Sequence, residues 1–422
     1  MHPVCQSGKG FTRMWSRLRR PTVQIVGDGL DGQWLSWRWA GTDRPVGVHR
    51  CVGLDAALAA LDAALPGGDP TSLDDQRLTG PLADATAERE LMRLLAGALL
   101  PERLVAELLA QRERVEVRVL PSPRLARVPW GLLPVAGDRR LIELADVSWI
   151  GPLLPRDVAE GPAVGPDDAA PPTERRDRPP EDDADLDDAA PPLYVLDPLT
   201  RHGAVLPAGY VPCAPGGADV EAVILTGCAD ERPVLDWLRD GVSRLFLLGH
   251  AVHAAGRPGE VEFLFARGRL NAADLIFADW RAPARAAIVA CASGTDLADV
   301  EPLGLATALL LRGAELVQGT LWPLPTDAAL AREDEEAHGV FAELVAAFDR
   351  AQGAADPVAE LCGFQRRRLA DWRARPTLGN SPILWGSATT ITAPRRRSLA
   401  GASHHRNRQA PGPPRAERVS ST

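Results

Sequence analysis

Lysine is almost absent from this chain of 422 residues: Lys9 is the only one, and arginine carries the rest of the positive charge. Tyrosine, with two residues, and methionine, with three, are nearly as scarce. No run of 18 apolar residues occurs, so no membrane span is expected. The first twenty residues hold Lys9, Arg13, Arg17, Arg19 and Arg20 but no apolar stretch, and do not read as a secretory leader. Six cysteines stand at 5, 51, 213, 228, 291 and 362, with no Cys-x-x-Cys pair among them. That spacing argues against a disulfide framework or a zinc ribbon. A reducing cytoplasm is the expected compartment, and it keeps a thiol available for chemistry. The net charge of −9 argues against a general nucleic-acid binder.

What is present is an ordinary globular composition, 45% hydrophobic and 24% charged, on a chain long enough for two to three domains. Residues 1–110 read as a small α+β region. The stretches 22–26 and 33–40 are β-like, with Gly-Asp-Gly and Asp-Gly between them as a hairpin signal. Helical spacing follows over 54–65, 88–99 and 101–111. Residues 111–155 contain strand-like stretches at 115–120 and 141–150, joined by a turn-rich connector. From 156 to 192 there are twelve acids, four arginines, eight prolines and no aromatic residue. Such a segment buries too little apolar surface to offset its chain entropy and reads as a disordered acidic linker. In 193–392, a buried strand at 193–196 is followed by ordered runs at 220–226, 231–239, 244–249 and 261–266, and strands at 286–290 and 315–319 then alternate with helical stretches at 271–277, 303–311, 327–348 and 357–372. That alternation predicts an α/β fold with a mainly parallel sheet and helices on both faces. Residues 393–422, with seven arginines and one glutamate, read as a disordered basic tail.

Two apolar runs each deliver a reactive side chain at a carboxyl end, where open α/β sheets place their chemistry. Leu-Leu-Gly-His ends at His250 and Ile-Val-Ala-Cys ends at Cys291. Together they could form a thiolate–imidazole dyad. The backbone N–H groups of Gly249 and Cys291 would receive the oxyanion of a tetrahedral intermediate. Taken singly, Cys291 reads as a small buried hydrophobe and His250 as a satisfied core histidine; their joint placement favours the dyad. His253 is an alternative base. Cys213, Cys228 and Cys362 have no neighbouring histidine in sequence and read as structural. Asp197 could line a substrate groove or start a turn. Asp296, Asp299, Glu301 and Asp327 could each supply a negative pocket for a substrate Arg or Lys, although Thr326-Asp327 also reads as a helix cap. Trp322 could wall the groove or pack in the core.

These strings resemble the CHAT domain, a bacterial caspase-like module of the separase and caspase superfamily. The matching stretches are Arg-Leu-Ala-Arg-Val-Pro-Trp-Gly-Leu-Leu-Pro at 124–134 and Leu-Ile-Glu-Leu-Ala-Asp-Val-Ser-Trp at 141–149, then Gly-His-Ala at 249–251. Leu-Asn-Ala-Ala-Asp-Leu at 270–275, Ala-Cys-Ala-Ser-Gly at 290–294, Gly-Leu-Ala-Thr-Ala-Leu-Leu-Leu-Arg-Gly-Ala at 304–314 and Gly-Thr-Leu-Trp-Pro at 319–323 continue the order. Ser-Pro-Ile-Leu-Trp-Gly at 381–386 resembles the closing strand of the family. Ala251 departs from the pattern, since glycine is commoner after the histidine. The resemblance implies a caspase-like fold and a His250–Cys291 cysteine endopeptidase that needs neither metal nor organic cofactor. It also implies a protein or peptide substrate, and a role in bacterial signalling or defence under the control of a regulatory protein partner. The competing readings are a non-catalytic caspase-like interaction module and another thiol enzyme such as an acyltransferase.

Overall fold

The computed structural model describes residues 20–29, 32–65, 78, 80–151, 190–198, 205, 212, 222–253, 261–277, 280–290 and 304–394. Of the expected linker it includes only 190–192, and of the expected tail only 393 and 394. Strands β1 (Thr22–Asp28), β2 (Trp34–Trp39) and β3 (Gly47–Arg50) come first, then helices α1 (Leu54–Ala64), α2 (Ala85–Leu99) and α3 (Glu102–Leu109). The strand β4 (Val115–Leu120) leads to a ribbon of β5 (Pro134–Ala136) and β6 (Arg139–Arg140), to α4 (Leu141–Leu144) and to β7 (Ala145–Ile150). Next come β8 (Leu193–Leu196), β9 (Val223–Thr226), α5 (Arg232–Asp240), β10 (Arg244–Leu248), β11 (Ala251–His253), β12 (Val261–Leu264) and β13 (Arg269–Leu270). They are followed by α6 (Ala272–Phe277), β14 (Arg285–Val289), α7 (Leu305–Leu311) and β15 (Leu316–Thr320). The chain closes with α8 (Asp327–Glu333), α9 (Val340–Gly353), α10 (Pro357–Ala374), α11 (Pro382–Trp385) and β16 (Ala388–Thr392).

One sheet of eleven described strands organises these elements, in the order β3-β2-β1-β4-β7-β16-β15-β14-β10-β8-β9. Its pairings are parallel except β3–β2, β2–β1 and β16–β15. The sets β1-β4-β7-β16 and β15-β14-β10-β8-β9 are therefore each parallel and run in opposite directions, meeting where β16 lies against β15, and β2 and β3 add antiparallel outside β1. β1 pairs in parallel with β4, so the N-terminal strands extend the same sheet. The four described residues of β8, four of the five in β10 and in β14, and all of β15 are buried. The apolar runs of β8, β10 and β14 are what a parallel sheet covered on both faces requires. Each fully buried Leu or Ile there contributes about 1.5–3 kcal/mol. α9 packs on β14, α7 on β15, and α10 on β7 and β16.

Local chemistry redraws three expected elements. The strand expected over 141–150 begins as α4, because the Glu143 carboxylate accepts the Arg140 backbone N–H (2.7 Å) and closes a helical turn. The buried strand starts only at Ala145. The helix expected over 327–348 is broken between α8 and α9. Asp334 is extended, and Gly339 takes φ 85°, a left-handed conformation that glycine adopts without the usual steric cost. Residues 381–386 are a helical turn rather than the closing strand: Pro382, with its fixed φ, opens α11, and β16 follows directly. The run at 261–266 forms β12, which lies outside the main sheet in the antiparallel ribbon β11–β12–β13.

Candidate active site

Strand register sets the site. Leu196 of β8, Leu248 of β10 and Val289 of β14 are level across two parallel pairings, so these strands end together at one edge. β15 runs the same way beside β14. His250 is the second residue after Leu248 and is buried at 4% exposure. Its carbonyl accepts the Leu264 N–H (2.9 Å), which starts the β11–β12 ribbon at that point. Cys291 is the second residue after Val289 in the chain. It lies outside the described residues, as do Asp296, Asp299 and Glu301 and the His253 side chain.

The structure assigns the other candidates to particular contacts. The Gly249 N–H donates to the Val289 carbonyl at 3.3 Å, within the β10–β14 ladder. It is a ladder group and not the unobstructed oxyanion donor expected. Glycine is still required there, since a Cβ would lie 2.8 Å from Phe263 Cζ and 3.0 Å from Pro198 Cδ. Trp322 does not wall a groove: it is fully buried, and its Nε1 donates to the Ile383 carbonyl (2.8 Å). Asp327 is buried and accepts the N–H groups of Phe341 (2.8 Å) and Ala342 (3.4 Å), capping α9 rather than facing a substrate. Gly339 precedes that helix and has no side chain to cap it; Thr326 caps α8 separately. Asp197 ends β8 with φ 48°, the single positive φ at a described non-glycine residue. Its N–H donates to Leu248 (2.8 Å), and its two carboxylate oxygens accept the Val205 N–H (3.1 and 3.0 Å). Its carboxylate is thus a loop clasp beside the histidine strand.

Two groups escaped sequence reasoning. Thr320, fully buried at the end of β15, donates its hydroxyl to the Ala290 carbonyl (2.7 Å) and so anchors the residue before Cys291. Only the Gly-Thr-Leu-Trp-Pro string marked it. Ala251 is the second. The Leu264 N–H bond to His250 makes that pair the hydrogen-bonded type, so the next pair, Ala251 with Phe263, is the non-bonded type. The Ala251 N–H therefore faces away from β12.

The described thiols away from this edge are chemically quiet. Burial, reinforced by the charge of Asp146, pushes the Cys362 thiol up to about 12, and its sulfur accepts the Val147 N–H at 3.4 Å. Burial raises Cys51 to about 11, and burial with the charge of Asp230 raises Cys228. Among the described residues no group of three His, Cys, Asp or Glu side chains could hold a metal ion, and no helix is long and apolar enough to cross a membrane.

A two-direction α/β sheet with a histidine at the carboxyl edge of its parallel half is the architecture of caspase-like, peptidase-type domains. The CHAT domain family matches residues 89–332, more than half of the chain, and the chain belongs to that family, which falls in the caspase-like cysteine peptidase superfamily. A solved structure of Saccharomyces cerevisiae separase with securin is similar at 10% identity and a TM-score of 0.31. The likeness covers 84% of this chain and 21% of that chain, so this chain spans about a fifth of the separase length. No curated protein matches the chain.

Proposed function

We propose that this protein is a cysteine endopeptidase whose dyad is His250 and Cys291. The observation that supports it most is the level register of Leu248 and Val289, each two residues before one member of the pair. In this reading the Cys291 thiolate attacks the scissile carbonyl carbon, and the carbonyl oxygen becomes an oxyanion. The N–H groups of Cys291 and Ala251 receive that charge, Ala251 taking the role first expected of Gly249. His250 protonates the departing amine, then takes a proton from the water that hydrolyses the thioester. Asp296, Asp299 and Glu301 remain the acidic candidates for a P1 pocket. Substrates are proteins or peptides, and a regulatory protein partner in the cytoplasm switches the activity on.

The test is labelling by irreversible peptide electrophiles carrying Arg, Lys, Asp or Leu at P1, on wild type and Cys291→Ala at neutral pH. The raised Cys51, Cys228 and Cys362 thiols keep background alkylation slow. Labelling that disappears in Cys291→Ala is expected. Equal labelling of both proteins would sink the dyad, and a folded wild type that none of the four labels is either latent without its partner or a non-catalytic module.

A further inference from the structure

The strand β3, four residues long, is an outer edge of the eleven-stranded sheet. It has no lysine, no proline and no bulge between Gly47 and Arg50. The Cys51 N–H donates to the Gln33 carbonyl (2.8 Å), which fixes the phase of the β2–β3 ladder. Gly47, His49 and Cys51 therefore turn their backbone groups toward β2, and Val48 and Arg50 turn theirs outward. The side chains on that phase are exposed and largely apolar. Val46, Val48 and Val52 are 57%, 64% and 75% exposed, and Trp34, opposite Arg50, is 39% exposed.

Two arginines of this edge lie over indole rings. Arg44 stacks over Trp39 (5.0 Å) and Arg50 over Trp34 (6.0 Å). Neither of them, nor the exposed Arg38, has an ion pair with a carboxylate among the described residues. Of the acids at this corner, the exposed Asp43 adjoins Arg44 in the loop before β3, and Glu107 is already occupied. It accepts the indole N–H groups of Trp37 (2.9 Å) and Trp39 (2.8 Å) and the Arg103 Nε–H (2.9 Å).

From this edge we propose that β3 is a docking site for an extended segment of a protein partner, which adds antiparallel to the sheet. Outward N–H and C=O groups at alternate residues demand a β-strand. Val46 and Val48 demand apolar side chains at alternate positions of that strand, and Arg50 demands a carboxylate at its amino end. A second copy of this chain does not fit: paired antiparallel about Val48 it sets Val46 opposite Arg50 and offers that arginine no carboxylate, and a four-residue edge buries far less than the roughly 1,200–2,000 Å² of a stable interface. The proposal is independent of the dyad, because it needs no chemistry at Cys291.

The probe is a fluorescein-labelled peptide, Glu-Thr-Val-Thr-Val-Thr, titrated with the full chain by anisotropy. Saturable binding is expected, weakened about tenfold or more by N-methylation of the two valine amides and unchanged by methylation of the threonine amides that face away. Val48→Pro, which removes an outward N–H and no internal bond, weakens binding by about the same factor. Arg50→Glu leaves every backbone group in place and transfers preference to the peptide with Lys in place of Glu. No binding at about 1 mM peptide, equal effects of the two methylation patterns, or an unchanged preference in Arg50→Glu would overturn the proposal. So would a wild-type dimer, seen by light scattering, that Val48→Pro makes monomeric.

Discussion

Thr320 shows how a single hydroxyl can serve the candidate site without touching substrate. Its bond to the Ala290 carbonyl is buried, so Thr320→Val leaves that carbonyl unsatisfied, at an expected cost of about 1–3 kcal/mol. The residue before Cys291 loses its anchor at the same time. We expect Thr320→Val to slow electrophile labelling of Cys291, and Thr320→Ser to restore both labelling and stability. Chemical denaturation and labelling rates on the two variants check this; a serine variant as slow as valine would remove the anchoring role. The identity of Asp197 as a turn residue was readable from Asp-Pro. Its partner, the Val205 N–H, was not, because nothing in the intervening sequence specifies how the chain returns.

At the scale of elements, capping explains why one expected helix is two. Thr326 caps α8, and the next residue, Asp327, reaches across to cap α9. Asp327→Ala should cost about 0.5–2 kcal/mol, read as a lower thermal midpoint, since Gly339 offers no side chain in its place. The same variant should keep the P1 preference of any peptidase activity. Loss of an Arg or Lys preference would return Asp327 to the substrate pocket. The sequence carried the cap signal, Thr-Asp before an apolar helical stretch, but not which helix each residue would serve. The break itself was visible as His-Gly at 338–339, a glycine that helical periodicity on either side masks. Strands were easier to find, because buried parallel strands are short apolar runs bounded by polar residues or turns.

Across the whole molecule, a buried ion pair ties α2 to the β5–β6 ribbon. Arg140 donates to Glu88 of α2 (2.8 Å) and to the Leu132 carbonyl (2.7 Å), and both side chains are almost wholly buried. Burial, outweighing the attraction of Arg140, raises the Glu88 pKa above its ordinary value. The folded chain thus holds that proton more tightly than the unfolded chain. This contribution is fully present below the ordinary carboxyl range and is lost as pH rises through the raised pKa. Arg140→Met removes the compensating charge and should destabilise by about 3–5 kcal/mol. The loss should be larger at about pH 8 than at about pH 5, because the cost of charging the lone carboxyl, or of taking up its proton on folding, grows as pH rises above the ordinary carboxyl range. Urea denaturation at the two pH values measures it; an equal loss at both would mean that Glu88 is not the group responsible.

The amino-acid sequence determined by itself the α/β class, the strands that end at the candidate site and the carboxyl-end placement of His250, because apolar runs and turn residues act over a few neighbours. Tertiary structure alone decided the pairing of β1 with β4 and the insertion of β16 between β7 and β15. It also decided that the Trp322 indole is spent on Ile383, 61 residues away, and the Asp327 carboxylate on α9. It turned the Gly249 N–H into the ladder. A hydrogen-bonding group shows its need for a partner locally, but sheet register and the return path of the chain choose which partner it meets.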